Sequence, residues 1–155
     1  MTTENKIFVS DCLSVVKGFG IKENEIVITG SIALDICDLL PESRKVHDFD
    51  CFVYASKERI QELVIKIQEF VNDSDGEILN CAYDGLTDEN NIYFTLFGKT
   101  INIWFYSNHK VESIITYNGI KVFSPRLIIK EKLSYGRGKD YEDSVNIIRR
   151  LLEKK

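Results

Sequence analysis

Apolar residues recur every three or four positions in several stretches of the chain, and this spacing predicts five helices. The clearest helix follows Ser56, a residue type that favours the N-cap, and Pro125 is expected to open another. We expect the helix after Ser31 to continue until Pro41 stops it. The predicted helices cover about residues 4–18, 32–40, 57–71, 125–135 and 140–152. The last helix is expected to bury an apolar stripe made of Tyr141, Val145, Ile148 and Leu152.

Shorter apolar or alternating runs between these helices predict strands. Gly98-Lys99 is expected to form the tight turn of one hairpin, and Asn118-Gly119 is typical of a type I′ turn in another. Together the elements predict an α+β fold: a mixed sheet with packed helices, followed by a C-terminal pair of helices. The predicted strands lie near residues 25–29, 49–54, 77–83, 91–97, 100–106, 114–117 and 120–123.

Composition narrows the class of protein. A chain of 155 residues with a net charge of −4 is expected to be one domain without a broad surface for coating nucleic acid. The apolar runs are too short for a membrane helix, and the first residues lack the apolar core of a signal peptide, so a cytoplasmic protein is expected. None of the cysteines forms a C-x-x-C motif, and we interpret them as small buried hydrophobes; they are Cys12, Cys37, Cys51 and Cys81.

Candidate chemistry is concentrated around the first two strands. Gly30-Ser31 follows the first strand, and a turn at a helix start offers free backbone N–H groups to a phosphate. Asp48 and Asp50 lie on the second strand, where side-chain alternation puts both on one face, about 6–7 Å apart. Adjacent carboxylates repel each other and favour a divalent cation between them. The stretch predicts a site for a metal-bound nucleoside triphosphate; the competing interpretation of the two acids is a solvated strand face.

The order strand, Gly30-Ser31, helix, Asp48-x-Asp50 resembles the signature of the polymerase β-like nucleotidyltransferase superfamily, nearest to its minimal, toxin–antitoxin and abortive-infection branches. The resemblance implies that Gly30 and Ser31 contact the triphosphate of an NTP and that Asp48 and Asp50 hold Mg²⁺ or Mn²⁺. It also implies transfer of a nucleoside monophosphate to a hydroxyl group on protein, RNA or a small molecule.

The same resemblance implies one nucleotidyltransferase-like domain over residues 1–155. Its sheet core with helices would occupy 1–124, and its C-terminal helices would occupy 125–155. No membrane is implied, and a protein partner is possible in such branches.

The chain departs from this signature at the third metal carboxylate, because Asn102 stands where the family has an acid. No Asp or Glu occurs from Asn91 to Val111. Asn102 is predicted to occupy the third metal position, where an amide oxygen can coordinate but brings no charge and cannot act as a general base. Glu112 and Glu77 are the candidate replacements. Two alternatives therefore stay open: a catalytically degenerate binding, regulatory or accessory component, and a coincidental match in an unrelated α+β fold.

The C-terminal helices add basic residues to this picture. Lys132 lies one helical turn from Ile128, beside the buried stripe, and is predicted to be a neighbour of the phosphates. Arg137 and Lys139 flank a glycine at a helix break and are interpreted as an exposed charge cluster. Aromatic residues on the alternating strands are expected to be core rather than base-stacking groups; they are Tyr93, Trp104, Phe105 and Tyr106.

Overall fold

The computed structural model describes residues 1–40, 46–84, 90–107 and 114–154. None of the helices within these ranges combines the length and the apolar character needed to cross a membrane. The elements are α1 (Thr3–Gly18), β1 (Ile26–Thr29), α2 (Gly30–Ile36), β2 (Asp48–Tyr54), α3 (Lys57–Asp73), β3 (Glu77–Ala82), β4 (Asn90–Leu96), β5 (Lys99–Tyr106), β6 (Ile114–Tyr117), β7 (Ile120–Phe123), α4 (Pro125–Tyr135) and α5 (Gly138–Glu153).

The strands form one seven-stranded mixed sheet in the order β3-β4-β5-β2-β1-β7-β6. β2 runs parallel to β5 and β1 runs parallel to β7, while the other neighbouring pairs are antiparallel. The sheet, the five helices and the C-terminal pair α4–α5 confirm the predicted α+β fold.

Alternation along the central strands separates the two faces of the sheet. Phe49 and Cys51 of β2 are fully buried on one face, which packs against α1 and α3. Phe19, just after α1, makes an edge-to-face contact with Phe94 of β4, with ring centroids 6.1 Å apart. Burial raises the pKa of the Cys12 thiol, which belongs to the same core, to about 12. Asp50, between Phe49 and Cys51, therefore points to the opposite face, where α4 lies.

Several local signals act as predicted. Ser56 caps α3 by accepting a hydrogen bond from the backbone N–H of Arg59 at 3.3 Å, and Pro125 opens α4. Asn118 and Gly119 have φ angles of 50° and 82°, as a type I′ turn requires. The other hairpin turns at Phe97-Gly98, one residue earlier than predicted, since Leu96 pairs with Lys99.

The prediction that α2 continues to Pro41 is wrong. The helix ends at Ile36, and Asp38 adopts a left-handed conformation with φ 58° that helices do not accommodate. The N–H of Leu39 then returns to the carbonyl of Leu34 at 2.8 Å, so that Leu39 is still buried. Its burial explains why the apolar spacing resembled a longer helix. Pro41 lies outside the described residues.

The buried face of α5 is also not the one predicted. Tyr141, Val145, Ile148 and Leu152 are 46 to 65 % exposed. The helix instead buries Asp140, Ser144 and Ile147, which lie about a quarter turn around its axis. A polar contact between helices favours this orientation, because Oδ2 of Asp143 on α5 lies 3.0 Å from Nζ of Lys132 on α4.

Candidate active site

The pairing of three strands brings the candidate polar residues together. In the parallel β2–β5 pair, Asp50 lies directly opposite Asn102, and in the antiparallel β1–β2 pair it lies opposite Thr29. Gly30 follows Thr29 at once, so the turn that leaves β1 starts beside the Asp50 carboxylate. The sheet register thus places residues far apart in sequence within one short row.

A cavity of about 500 Å³ opens over this row. α4 forms its other wall with side chains at the i, i+3, i+4 and i+7 positions of one helical face. The residues that line it are Thr29, Gly30, Ser31, Asp50, Asn102, Trp104, Ile128, Glu131, Lys132, Tyr135, Arg137 and Asp140. A second cavity of about 240 Å³ is lined by Ser31, His47, Asp48, Asp50, Lys132, Arg137, Lys139 and Asp143. The two cavities share Ser31, Asp50, Lys132 and Arg137, and Asp48 lines the second.

Gly30 is required by the closeness of β1 and β2. Its φ is +67°, and a Cβ at this position would overlap Oδ2 of Asp50 and lie 3.1 Å from the Cβ of Asp50. Only glycine combines that backbone conformation with that approach. The backbone of the turn therefore lies directly against the Asp50 carboxylate, with no room for a side chain between them.

The Gly30→Ala substitution is expected to lower the free energy of unfolding by about 1–3 kcal/mol more than Gly98→Ala does. Gly98 is the matched control, because its φ is +73° but an added Cβ would have nothing within 4 Å. Urea unfolding of both variants measures the difference. Equal losses of unfolding free energy in the two variants would show that the Asp50 side chain moves aside without cost and that the site does not depend on this contact.

Asp50 is the most perturbed acid of the cavity. Burial, and then the charges of Asp48 and Glu131, raise the pKa of its carboxyl to about 7; the Asn102 hydrogen bond and the charge of Lys132 oppose this rise. Asp48 accepts a hydrogen bond from the hydroxyl of Tyr93 at 3.1 Å. Each aspartate therefore accepts a hydrogen bond from a neutral side chain, Asp48 from Tyr93 of β4 and Asp50 from Asn102 of β5.

Asn102 belongs to a row of three asparagines, Asn80, Asn91 and Asn102, that crosses β3, β4 and β5 and is called here the asparagine ladder. Asn80 donates to Oδ1 of Asn91 at 3.1 Å, and the amide nitrogen of Asn91 donates to Oδ1 of Asn102. The carbonyl of Ile103, which only accepts, also receives the Asn91 amide at 3.2 Å and so fixes its orientation.

The ladder determines which end of Asn102 faces Asp50. Its oxygen is occupied by Asn91, so its NH₂ group is the one that donates to the carboxylate of Asp50. Asn102 therefore lies where it was expected but presents a donor there. This orientation departs from the prediction that its amide oxygen is a metal ligand.

Glu131 is the acid that sequence reasoning missed. It accepts hydrogen bonds from Tyr135 at 3.1 Å and from Thr29 at 3.4 Å, and burial raises its pKa. The helical spacing that placed Lys132 near the buried stripe applies equally to Glu131, so this spacing was a usable signal. Of the proposed replacements, Glu77 lies on edge strand β3 outside both cavities, and Glu112 is not among the described residues.

The carboxylates do not form a ready metal cage. In the part of the chain that the structure describes, no three His, Cys, Asp or Glu side chains are grouped to hold a metal ion. A cation at Asp48 and Asp50 would therefore take its remaining ligands from a bound molecule or from water. Glu131 stands apart as an acid paired with hydroxyl groups.

Lys132, Arg137 and Lys139 line the cavities, and the first two have acidic partners on α5. Nζ of Lys132 lies 3.0 Å from Oδ2 of Asp143. Arg137 makes two contacts with the buried carboxylate of Asp140, at 2.6 and 3.2 Å, and lies over the ring of Tyr135. Arg137 is exposed as predicted, yet it also lines both cavities.

The aromatic residues divide between core and cavity. Phe105 is fully buried, as predicted, and Tyr106 is partly buried against the core, with its ring edge-on to Phe52. Trp104, expected to be core, is only partly buried and lines the larger cavity. Tyr93 reaches Asp48, a role that follows from its register opposite Asn102 in the Gly98 hairpin.

Comparison with known proteins gives a limited set of matches. No family model matches the sequence, and no curated protein matches it significantly. The crystal structure of JHP933 from Helicobacter pylori is similar with a TM-score of 0.43 and 14% identity, over 86% of this chain and 57% of that one. A structure from H. pylori described provisionally as a nucleotidyltransferase has a TM-score of 0.44 and 13% identity, over 86% and 59%. The chain spans less than two thirds of either.

Proposed function

We propose that the protein is a nucleotidyltransferase that binds an NTP with Mg²⁺ or Mn²⁺ and transfers the nucleoside monophosphate to a hydroxyl group. One observation carries the proposal: the turn Gly30-Ser31 and the carboxylate of Asp50 face a single cavity that also contains Lys132. A phosphate-binding turn, a metal carboxylate and a cation are the parts that a triphosphate site needs.

The acids fit a hard divalent cation. Asp48 and Asp50 lie two residues apart on one face of β2 and provide oxygen ligands, which Mg²⁺ prefers. After burial, the charge of Asp48 is the next cause that raises the pKa of Asp50, and a cation beside the two carboxylates would offset that effect. When bound, the ion would neutralise charge on the phosphates and on the leaving pyrophosphate.

The remaining cavity residues suit the other parts of a nucleotide. Backbone N–H groups and the hydroxyl of Ser31 are donors for phosphate oxygens, and Lys132 and Arg137 supply positive charge that Asp143 and Asp140 hold in place. Trp104 offers an aromatic surface on the same cavity wall, suited to a nucleobase.

Glu131 is proposed as the base for the acceptor. Burial raises its pKa, and an acid that titrates nearer to neutral pH is better matched to accept a proton. In the transfer, the acceptor oxygen forms a bond to the α-phosphorus while the bond from that phosphorus to the β-phosphate oxygen breaks. Pyrophosphate leaves, and the acceptor proton passes to the carboxylate of Glu131 and then to water. This role would supply from α4 the acid that β5 lacks.

Incubation of the protein with each labelled NTP, Mg²⁺ or Mn²⁺, and RNA or protein acceptors tests the proposal. We expect label transfer that EDTA abolishes. Because the sequence resembles the toxin–antitoxin branches of the superfamily, a protein acceptor is the first to try. An absence of both metal-dependent NTP binding and transfer would reject a nucleotide site altogether.

A second candidate function is NTP binding without transfer, in a regulatory or accessory component. The orientation of Asn102 favours it, because an amide donor faces the site where the superfamily has a carboxylate. NTP binding that depends on the metal, with no transfer to any acceptor, would support this candidate over the first.

Asn102→Asp distinguishes the two candidates. Asn91 can still donate to the new carboxylate, so the ladder survives the change. If the missing acid limits catalysis, we expect transfer to rise at least about tenfold with Mg²⁺ present. Asn72→Asp, at an exposed position near the end of α3, controls for added charge. A transfer rate of Asn102→Asp that stays the same or falls would show that β5 needs no acid and that another residue serves as the base. Glu131 is the first candidate.

A further inference from the structure

α5 carries an apolar surface that faces solvent. The α5 stripe, made of Tyr141, Val145, Ile148 and Leu152, is 52, 54, 46 and 65 % exposed. Its spacing of four, three and four residues is that of the a and d positions of a heptad, the pattern by which one helix packs along another. A contiguous exposed apolar row of this kind marks an interaction surface.

We propose that the α5 stripe pairs with the same stripe of a second copy of this chain, with the two helices antiparallel about a twofold axis. This inference does not depend on the proposed function. In that arrangement Val145 of one copy packs opposite Ile148 of the other, and Tyr141 packs opposite Leu152. A surface used twice in this way is self-complementary, as a twofold interface must be.

The charges beside the stripe identify a second copy as the occupant. Glu142 and Arg149 are exposed and lie seven residues apart on the solvent flank of the stripe, at successive e positions. When two α5 helices run antiparallel, e positions face e positions. Glu142 of each copy then faces Arg149 of the other, and the opposite charges meet twice.

A parallel pair would not use these charges. Its e positions would face g positions, and on α5 these are Ser144, which is buried, and Leu151, which packs against the core. The charge pattern therefore favours the antiparallel dimer over a parallel one.

The opposite side of α5 already makes contacts within its own chain. Asp140 and Asp143 hold Arg137 and Lys132 at the cavities, and Nζ of Lys154 lies 3.0 Å from the carbonyl of Cys37 in the turn after α2. None of the residues of the α5 stripe lines either cavity, so pairing through it leaves both cavities open in each copy.

Sedimentation velocity of the full chain over a range of concentrations tests the proposal. We expect a dimer whose dissociation constant rises at least about tenfold in Arg149→Glu, because two attractions become two repulsions. The double reversal Glu142→Arg/Arg149→Glu should restore wild-type dimerisation. Val145→Glu should give a monomer with an unchanged circular dichroism spectrum, since this side chain is exposed in the single chain.

Lys57→Glu, at the start of α3 on an exposed site, reverses a charge elsewhere and should leave dimerisation unchanged. A wild-type protein that stays monomeric at hundreds of micromolar would overturn the proposal, whatever else then covers the stripe. So would a dimer that tolerates Val145→Glu. A dimer that loses affinity in Val145→Glu but ignores both charge reversals would reject the antiparallel arrangement.

Discussion

The Asp50→Asn protein is expected to lose metal-dependent nucleotidyl transfer by about 100-fold or more. Asp50 stands at the centre of the site, because it lies opposite Thr29 on one strand and Asn102 on the other and almost touches Gly30. Asparagine keeps the shape of the side chain but removes the charge that would hold the metal. The rate of label transfer from NTP, measured at saturating Mg²⁺, checks the prediction.

Asp73→Asn is the matched control, since this aspartate is exposed at the end of α3 on the other side of the molecule. It should transfer label at the wild-type rate. Transfer by Asp50→Asn within about threefold of wild type would remove Asp50 from the metal site and with it the main support for a nucleotidyltransferase.

The same substitution is expected to stabilise the metal-free protein at neutral pH by roughly 2–4 kcal/mol. Burial first, and then Asp48 and Glu131, raise the pKa of Asp50 from 3.8 to about 7 in the folded chain. Well below pH 3.8 the carboxyl is protonated in both the folded and the unfolded state and costs nothing. Between pH 3.8 and 7 the unfolded chain releases this proton while the buried carboxyl in the folded chain keeps it, so wild type loses stability that the asparagine variant retains.

The difference in unfolding free energy between Asp50→Asn and wild type should therefore grow between pH 4 and pH 7 and level off above pH 7. Urea unfolding in EDTA across this range measures it, and the acids that do not interact with Asp50 cancel because both proteins contain them. Mg²⁺ should then stabilise wild type but not the variant. A difference that is flat with pH would show that Asp50 is ionised without cost, as in an open, hydrated site.

The local elements of the fold could be predicted because their signals are local. Ser56, Pro125 and Asn118-Gly119 each act on the backbone within a few residues. The pairing of Asp50 with Asn102 could not be read in the same way. β2 and β5 are parallel neighbours separated by two antiparallel strands and a helix, and no turn between them sets their register.

The face of α5 shows a second limit of sequence patterns. Two faces of this helix carry apolar residues, and periodicity favours the stronger one, with Val145 and Ile148. The structure buries the weaker face, where Asp140 meets Arg137 and Ser144 closes a hydrogen bond. The ion pair of Asp143 with Lys132 of α4 holds this side of the helix against the chain, and the stronger apolar face stays exposed.

Part of the candidate site could be predicted because its signals are also local in the sequence. Gly30-Ser31 and Asp48-x-Asp50 are short motifs, so their types and spacing are visible directly. Glu131 was missed because a single glutamate on a helix has no motif. Its burial beside Thr29 becomes apparent only when α4 is placed over β1.

The asparagine ladder has a consequence for how this site changes in evolution. Asparagine and aspartate are separated by a single-nucleotide substitution, and the amide of Asn91 can donate to either one at position 102. An exchange at position 102 therefore leaves the Asn91 amide with an acceptor, whereas a loss of Asn91 would leave the side-chain oxygen of residue 102 without this donor. During evolution, residue 102 can therefore change from Asn to Asp or from Asp to Asn, provided that Asn91 is kept.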